Sequence, residues 1–317
     1  MFDIDIAINR IDAMELRDIQ YFEEIAKHGN LGRAAEALGV GQPALSMSLR
    51  RLEQSAHAKL VKRTAKGVEL TPVGAALLSH ARRLRLARDD LVHEVVEHAQ
   101  GLAGQIRVGT GPSLAETFIP DVYTTLLKEA PNVSLIATVS GTVPLLQTLR
   151  NGDLDLVVNH TPRSMGPGVV QIPLWDDEFV VYASVNHALA KRKSVKLADL
   201  AGERWAVTGA TALTVLHSLS DTFEERGLSP PINQVVSDSV MLRVRSVANS
   251  SLIGFGSRRV VELAALYERL CIIPVRDMQA IRPVAIYHRN DGYVSPAAKR
   301  IIEIMKTMSK AIARKSS

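Results

Sequence analysis

A single cysteine, Cys271, stands in a chain of 317 residues. That excludes a disulfide framework, and with no second thiol nearby it argues against a thiolate metal site. There is no run of about 18 apolar residues, the length a membrane span needs. The opening MFDIDIAINRIDA has acids where an export signal carries basic residues, and its apolar positions are interrupted. Aromatic residues are scarce, at 4%. Signatures of catalysis are missing as well. The chain has no G-x-S-x-G and no Walker motif, and Gly109-Thr110-Gly111-Pro112 lacks the third glycine of a dinucleotide loop. The run from His93 to His98 comes near H-E-x-x-H, but its second histidine falls one place late, so the two rings do not share a helix face. These absences predict a cytoplasmic protein that is not an enzyme, with no catalytic residue, metal ligand, cofactor or membrane partner assigned.

What is present begins with 46% hydrophobic residues, enough for two or three cored domains. The stretch LGRAAEALGVGQPALSMSLRRLEQ, Leu31 to Gln54, reads as two helices about a tight turn. Leu31, Ala34, Ala35 and Leu38 recur on one helical face. Gly39 stands where a left-handed residue turns the corner, and Pro43 is tolerated in the first turn of the next helix. Leu45, Leu49 and Leu52 form that helix's buried face, leaving Gln42, Ser46 and Arg50 outward. Short polar groups and an arginine on an exposed helix suit the major groove, whose base edges differ in donor and acceptor pattern. An ordinary helical hairpin is the plainer alternative.

The following segment favours DNA. Lys59, Lys62, Arg63 and Lys66 precede Gly67-Val68-Glu69-Leu70, which reads as a small hairpin or wing, and Thr71-Pro72 caps a further helix. From Arg17 to Arg88 there are 13 Lys and Arg against 6 Asp and Glu, a surplus of seven. The whole chain carries +5, so everything outside this segment sums to −2. Concentrated positive charge on the hairpin and wing is the footprint of a phosphate-binding module.

Met14 to Gly74 resembles the DNA-binding end of LysR-type transcriptional regulators. The resemblance rests on Ala34-Ala35, Leu38, Gln42-Pro43-Ala44, Ser46, Leu49, Leu52-Glu53, Leu60, Arg63 and the closing Leu70-Thr71-Pro72-Val73-Gly74. The chain departs from the family pattern at Gly41, at Met47, at His57 (usually Gly) and at Val61 (usually Phe). The resemblance implies DNA contacts from Gln42, Pro43, Ser46, Arg50, Arg51, Lys62 and Arg63. It also suggests that residues 1–13 are an extension or a misassigned start.

Thr71 to about Leu102 carries few helix breakers. Leu77, Ala81, Leu84, Leu91, Val95 and Leu102 fall on a four-three spacing, interrupted by Arg88, as in a coiled-coil seam. The helix therefore either docks on its own domain or pairs with a second subunit, the latter expected because one helix-turn-helix reads only a half-site. A hinge is read at Gly101–Gly104.

Strands and helices alternate beyond it. Strands are expected at 105–109, 133–139, 153–158, 179–184, 204–207, 234–236, 252–255 and 281–288. Helices are expected at 113–129, 145–151, 215–226, 239–249, 259–266 and 296–314. The order implies parallel β/α units with right-handed crossovers. It resembles the two-lobed, periplasmic-binding-protein-like effector domain of the same family, with crossings near 175–177 and 277–282. The fold class expected is thus α+β: a winged helix-turn-helix (14–72), a linker and dimerisation helix (73–102), lobe I (105–176 and 281–317) and lobe II (177–280).

Ser113, at a helix start, has N–H groups and a helix dipole that favour a carboxylate. Thr142 begins a second helix facing the same cleft. Both match positions that family members use for inducers, and a simple cap is the alternative for each. His160 and the loop carrying Thr208, Thr211 and Thr214 would complete the walls, with His160 the nearest candidate cation, charged only in part near neutral pH. The partners expected are operator DNA, a small organic acid or polyhydroxylated effector, RNA polymerase if the protein activates, and further copies of the chain as a homodimer or homotetramer. A solute-binding protein sharing the two-lobed fold is the competing reading.

Overall fold

The computed structural model describes residues 14–65, 67–100, 104–209, 213–276, 278–290 and 294–316. Residues 1–13, Lys66, Gly101–Ala103, Thr211 and Asp277, to which readings above refer, lie outside them. The chain divides into two compact units, 1–93 and 94–317. The division falls inside the long helix rather than at its ends, and both expected lobes belong to the second unit.

In the first unit, α1 (Leu16–His28) ends at Gly29, whose φ of 59° is left-handed. Asn30 then caps α2 (Leu31–Leu38), its side chain accepting the N–H groups of Gly32 and Arg33 at 2.8 and 3.1 Å. Gly39, at φ 65°, turns the chain as the sequence required. The next helix, α3 (Gln42–Ser55), has Pro43 in its first turn. Strands β1 (Val61–Thr64) and β2 (Gly67–Leu70) pair antiparallel as the wing. Thr71 Oγ1 accepts the Gly74 N–H at 3.0 Å and donates to the Lys59 carbonyl at 2.7 Å, which starts α4 (Pro72–Gln100) against the wing. A methyl at Gly74 would overlap the Leu60 carbonyl, so only glycine lets these backbones approach.

Phe22, Ile25, Ala34, Leu45, Leu52 and Leu60 fill the core of this unit. Its contents correct the seam on α4. Leu77 packs against that core and Ala81 is buried in it, together with Leu78. Among the described seam residues, Leu84, Leu91 and Val95, at 49%, 59% and 59% exposure, are free of it. The helix docks on its own domain for three turns and presents apolar residues to solvent afterwards.

The second unit is built on one nine-stranded sheet. Its first half carries β3 (Gly104–Thr110), β4 (Val133–Val139) and β5 (Leu156–His160), with β3 parallel to both others. Between β3 and β4 the structure breaks the single expected helix into α5 (Pro112–Thr117) and α6 (Ile119–Glu129). The break is at Phe118, because Pro120 can occupy only the first turn of a new helix. After β4 comes α7 (Thr142–Arg150), which begins three residues earlier than the spacing indicated. The expected strand at 153–158 starts only at Leu156, since Asp155 turns to bond the Arg107 backbone and guanidinium.

The largest departure is β6, which runs from Val169 to Ser184 rather than from Phe179. It pairs antiparallel with β11 (Ala280–Arg289) along that strand's whole length, so two long strands carry the chain between the halves of the sheet. In the second half, β7 (Arg204–Val207) is parallel to β8 (Ile232–Val236) and β9 (Ile253–Ser257), and β9 is antiparallel to β6. Helices α8 (Leu213–Glu224), α9 (Val240–Ala248) and α10 (Arg258–Ala264) cover this half. A three-residue strand, β10 (Leu270–Ile272), adds to β6 and was not foreseen. The closing helix α11 (Pro296–Ser316) packs with α6 over the first half. Separate apolar cores lie on the two faces of each half, the arrangement expected when helices cover both sides of a sheet.

Candidate DNA-binding face and effector cleft

Helix α3 buries Leu45, Ser48, Leu49 and Leu52 and exposes Gln42, Pro43 and Arg50, with Ser46 half-buried between them. Lys62 and Arg63 stand exposed on the wing strand β1. The helix is braced from behind. Asp18, only 3% exposed, accepts the Ser48 hydroxyl at 2.5 Å and the Arg51 guanidinium at 3.0 and 2.7 Å. Burial alone would raise the Asp18 carboxyl, but the bonds from Arg51 and Ser48 outweigh it and hold it below its ordinary value. Arg51 remains half exposed, yet two of its nitrogens are engaged in fixing α3 on α1.

In the second unit, β3 and β5 end side by side at Thr110 and His160. Ser113 lies half-buried at the second position of the short α5. Thr142 begins α7 and donates its hydroxyl to the His160 carbonyl at 3.0 Å. Asn159 accepts the His160 N–H at 2.9 Å and reaches the Ser140 carbonyl at 3.4 Å, tying the loop before α7 to the end of β5. On the other side Thr208, nearly buried, donates to Asp238 at 3.4 Å, and the Gly209 N–H bonds the same carboxylate at 2.9 Å. Thr214 belongs to α8, but its side chain is outside the described set, as Thr211 is altogether.

His160 is not the cation the sequence suggested. It is buried, with Nε2 2.9 Å from the Asp177 carboxylate and its ring edge-on to Phe179 at 5.3 Å. Burial pushes its pKa down, against the pull of the Asp177 bond, and the neighbouring Arg282 adds to the depression. A neutral imidazole results at neutral pH. Asp177 also accepts the Ser257 hydroxyl at 2.9 Å. The sequence reading passed over two arginines, the half-buried Arg282 and the buried Arg243. Arg282 lies 5.4 Å over the Phe179 ring. Arg243 donates to the Ser237 carbonyl at 2.5 Å, and burial lowers its pKa while Tyr182 and Asp238 oppose that. The signal for Arg243 was available: it falls on the Val240, Val244 and Val247 face of α9.

Two family models match this chain. One, the bacterial regulatory helix-turn-helix protein of the lysR family, covers residues 16–75. The other, the LysR substrate binding domain, covers residues 99–310, about two thirds of the chain. The chain belongs to the LysR family. It is a DNA-binding transcriptional regulator with a C-terminal effector-binding domain.

Among LysR-family relatives, the regulator GltC of Bacillus subtilis is 26% identical over 92% of this chain and 96% of its own. GbpR of Azospirillum brasilense is 24% identical over 93% and 87%. The full-length OxyR C199D structure from Pseudomonas aeruginosa shares the fold at a TM-score of 0.66, with 24% identity over 94% of this chain and 95% of that one. The full-length CbnR structure in complex with its target DNA gives 0.63, with 20% identity over 93% and 99%. No described helix is long and apolar enough to cross a membrane, and no group of three metal-ligating side chains occurs among the described residues.

Proposed function

We propose that this LysR-family regulator reads its operator with Gln42, Ser46 and Arg50 on base edges and Pro43 against a thymine methyl, while Lys62 and Arg63 contact the backbone or minor groove from the wing. Arg51 contributes by holding α3 in place and has donors left for a phosphate. The observation that carries this reading is the face of α3: Leu45, Leu49 and Leu52 are turned inward, and Gln42, Pro43 and Arg50 are exposed on a helix pinned to α1. Two copies would pair through Leu84, Leu91 and Val95 to form a homodimer or homotetramer, and the complex would work on cytoplasmic DNA, recruiting RNA polymerase if it activates.

The effector is read as a small organic acid or polyhydroxylated molecule. It would be held by Ser113, Thr142, Thr208, Thr211 and Thr214, with His160 as a neutral hydrogen-bonding wall. Hydroxyls and helix starts support that class over a phosphorylated one, which calls for paired arginines on an open surface. A gel shift on the intergenic DNA beside the gene tests the first half. Gln42→Ala should cost about 1–3 kcal/mol and relax preference at one base pair, whereas Lys62→Ala should weaken all sequences alike. Unchanged operator affinity in Gln42→Ala would remove α3 from the base edges. Thr142→Val should abolish the transcriptional response with operator affinity near normal, and wild-type sensitivity in that variant would move the effector site elsewhere.

A further inference from the structure

Where β6 and β11 cross between the halves of the sheet, α10 and α11 flank them and leave an open groove of about 810 Å³. That volume is in the range of small-molecule sites. None of Ser113, Thr142, His160 or Thr208 lines it. Most of its charge is already satisfied. Arg258 grips Glu178 with two bonds of 2.6 and 3.0 Å and reaches Glu262 at 3.7 Å. Asp177 is occupied by His160 and Ser257.

Three groups are left over. Arg259 has no hydrogen-bond or ion-pair partner among the described residues, and its Nε is buried. Asp176, exposed on β6, has no partner among them either. Trp175, 6% exposed, buries an indole N–H that meets no acceptor. Buried donors without acceptors are exceptions in folded proteins and mark places where a missing acceptor belongs.

A simple anion does not fit this groove, because its carboxylates outnumber its two arginines; a simple cation leaves Arg259 unanswered. We propose that the groove binds a small zwitterion of the free α-amino-acid class. Its carboxylate meets Arg259, its ammonium meets Asp176, and its side chain lies along Ile281 and Trp175. The two flanking helices pack into different cores, α10 with the second half of the sheet and α11 with the first. Occupancy is therefore coupled to the angle between the halves, as binding must be if it favours one arrangement over another. The groove is a second input, separate from the effector cleft proposed above and independent of that reading.

The test is calorimetry and tryptophan fluorescence on the full-length protein, titrated with glycine, L-leucine, L-phenylalanine and L-lysine, and with acetate and ethylammonium as half-ligands. At least one amino acid should bind saturably and alter Trp175 emission, and neither half-ligand should. Arg259→Gln and Asp176→Asn, both away from the main cores, should each weaken that binding at least tenfold with melting unchanged, whereas Thr142→Val should leave it intact. Saturable binding by none of the four amino acids would overturn the proposal. So would acetate binding as tightly as the best of them, or loss of binding in Thr142→Val with Arg259→Gln unaffected.

Discussion

Asp18 in the helical unit and Asp177 in the sheet unit are both buried, at 3% and 2% exposure, and both tie together elements distant in sequence. Asp18 is answered by a full charge, since the Arg51 guanidinium bonds both its oxygens while Ser48 adds a third bond. Asp177 is hydrogen-bonded by an imidazole that burial keeps neutral and by the Ser257 hydroxyl, and the Arg282 charge also acts on it. The difference lies in solvent access. Arg51 is 47% exposed and keeps part of its hydration, so its charge is tolerated at little cost. His160 has no such access, and charging it would require burying a cation. One pin is thus built for a permanent charge, the other for a group that must stay uncharged.

Breaking the first pin should have the largest effect. Asp18→Ala removes bonds to a charged group and strands the buried Ser48 hydroxyl, so the helical unit should lose about 3 kcal/mol. Urea unfolding followed by circular dichroism should show the helical transition moved to lower denaturant and operator binding weakened. An unmoved transition would mean that Asp18 does not hold α3. Asp177→Ala should cost less, about 2 kcal/mol, because its hydrogen-bond partners His160 and Ser257 are neutral, although Arg282 loses a counter-charge. Its effect should fall on the sheet transition alone, and equal losses in both units would erase the distinction.

Acid sharpens the same contrast. The unfolded His160 imidazole titrates near 6.5, and the folded one binds its proton less readily. Below that pH the unfolded chain takes up more protons than the folded one, so the sheet unit loses stability as the solution is acidified. The Asp18 carboxyl is also shifted down, below 3.8, but for an acid that shift stabilises the fold, so its contribution is complete above that value and disappears only as pH falls through its folded pKa. Between about pH 6.5 and pH 4, therefore, the sheet transition should weaken through His160 while the Asp18 contribution holds. His160→Gln should flatten that dependence in the sheet unit, and a slope unaltered by the substitution would assign it to other groups.

The smallest effect is a gain. His57 is the one non-glycine residue at positive φ, 48°, among the described residues, where the family pattern has glycine. His57→Gly should relieve that strain and stabilise the helical unit by about 1 kcal/mol, leaving the sheet transition where it was. No rise in the helical transition would show that the His57 side chain compensates for its backbone.

Legibility followed the reach of the interactions. Gly39, Pro43 and Thr71 act on backbone groups within three or four residues, and the helix-turn-helix and wing they delimit could be placed nearly to the residue. The first ten residues of β6 could not be. With Pro173 and three acids at 176–178 the run resembles a loop, and what makes it a strand is β11, whose partners lie more than a hundred residues on. The same holds at the cleft. Thr142 at a helix start was readable, whereas a buried, neutral His160 depends on Phe179, Asp177 and Arg282 converging on it.

Helix α4 divides the two kinds of information within one element. Its length, its cap at Thr71 and the spacing of Leu77, Ala81, Leu84, Leu91 and Val95 follow from residue order, because backbone bonding and helical periodicity are local. The LysR identity and the alternation of strands and helices likewise followed from the amino acids alone. Which of those apolar residues meet a core was decided only in three dimensions. Ala81 is covered by its own domain and Leu84 is not, although one turn separates them and the pattern treats them alike. Burial depends on what else the folded chain brings alongside, and a periodic sequence specifies a face without specifying what covers it.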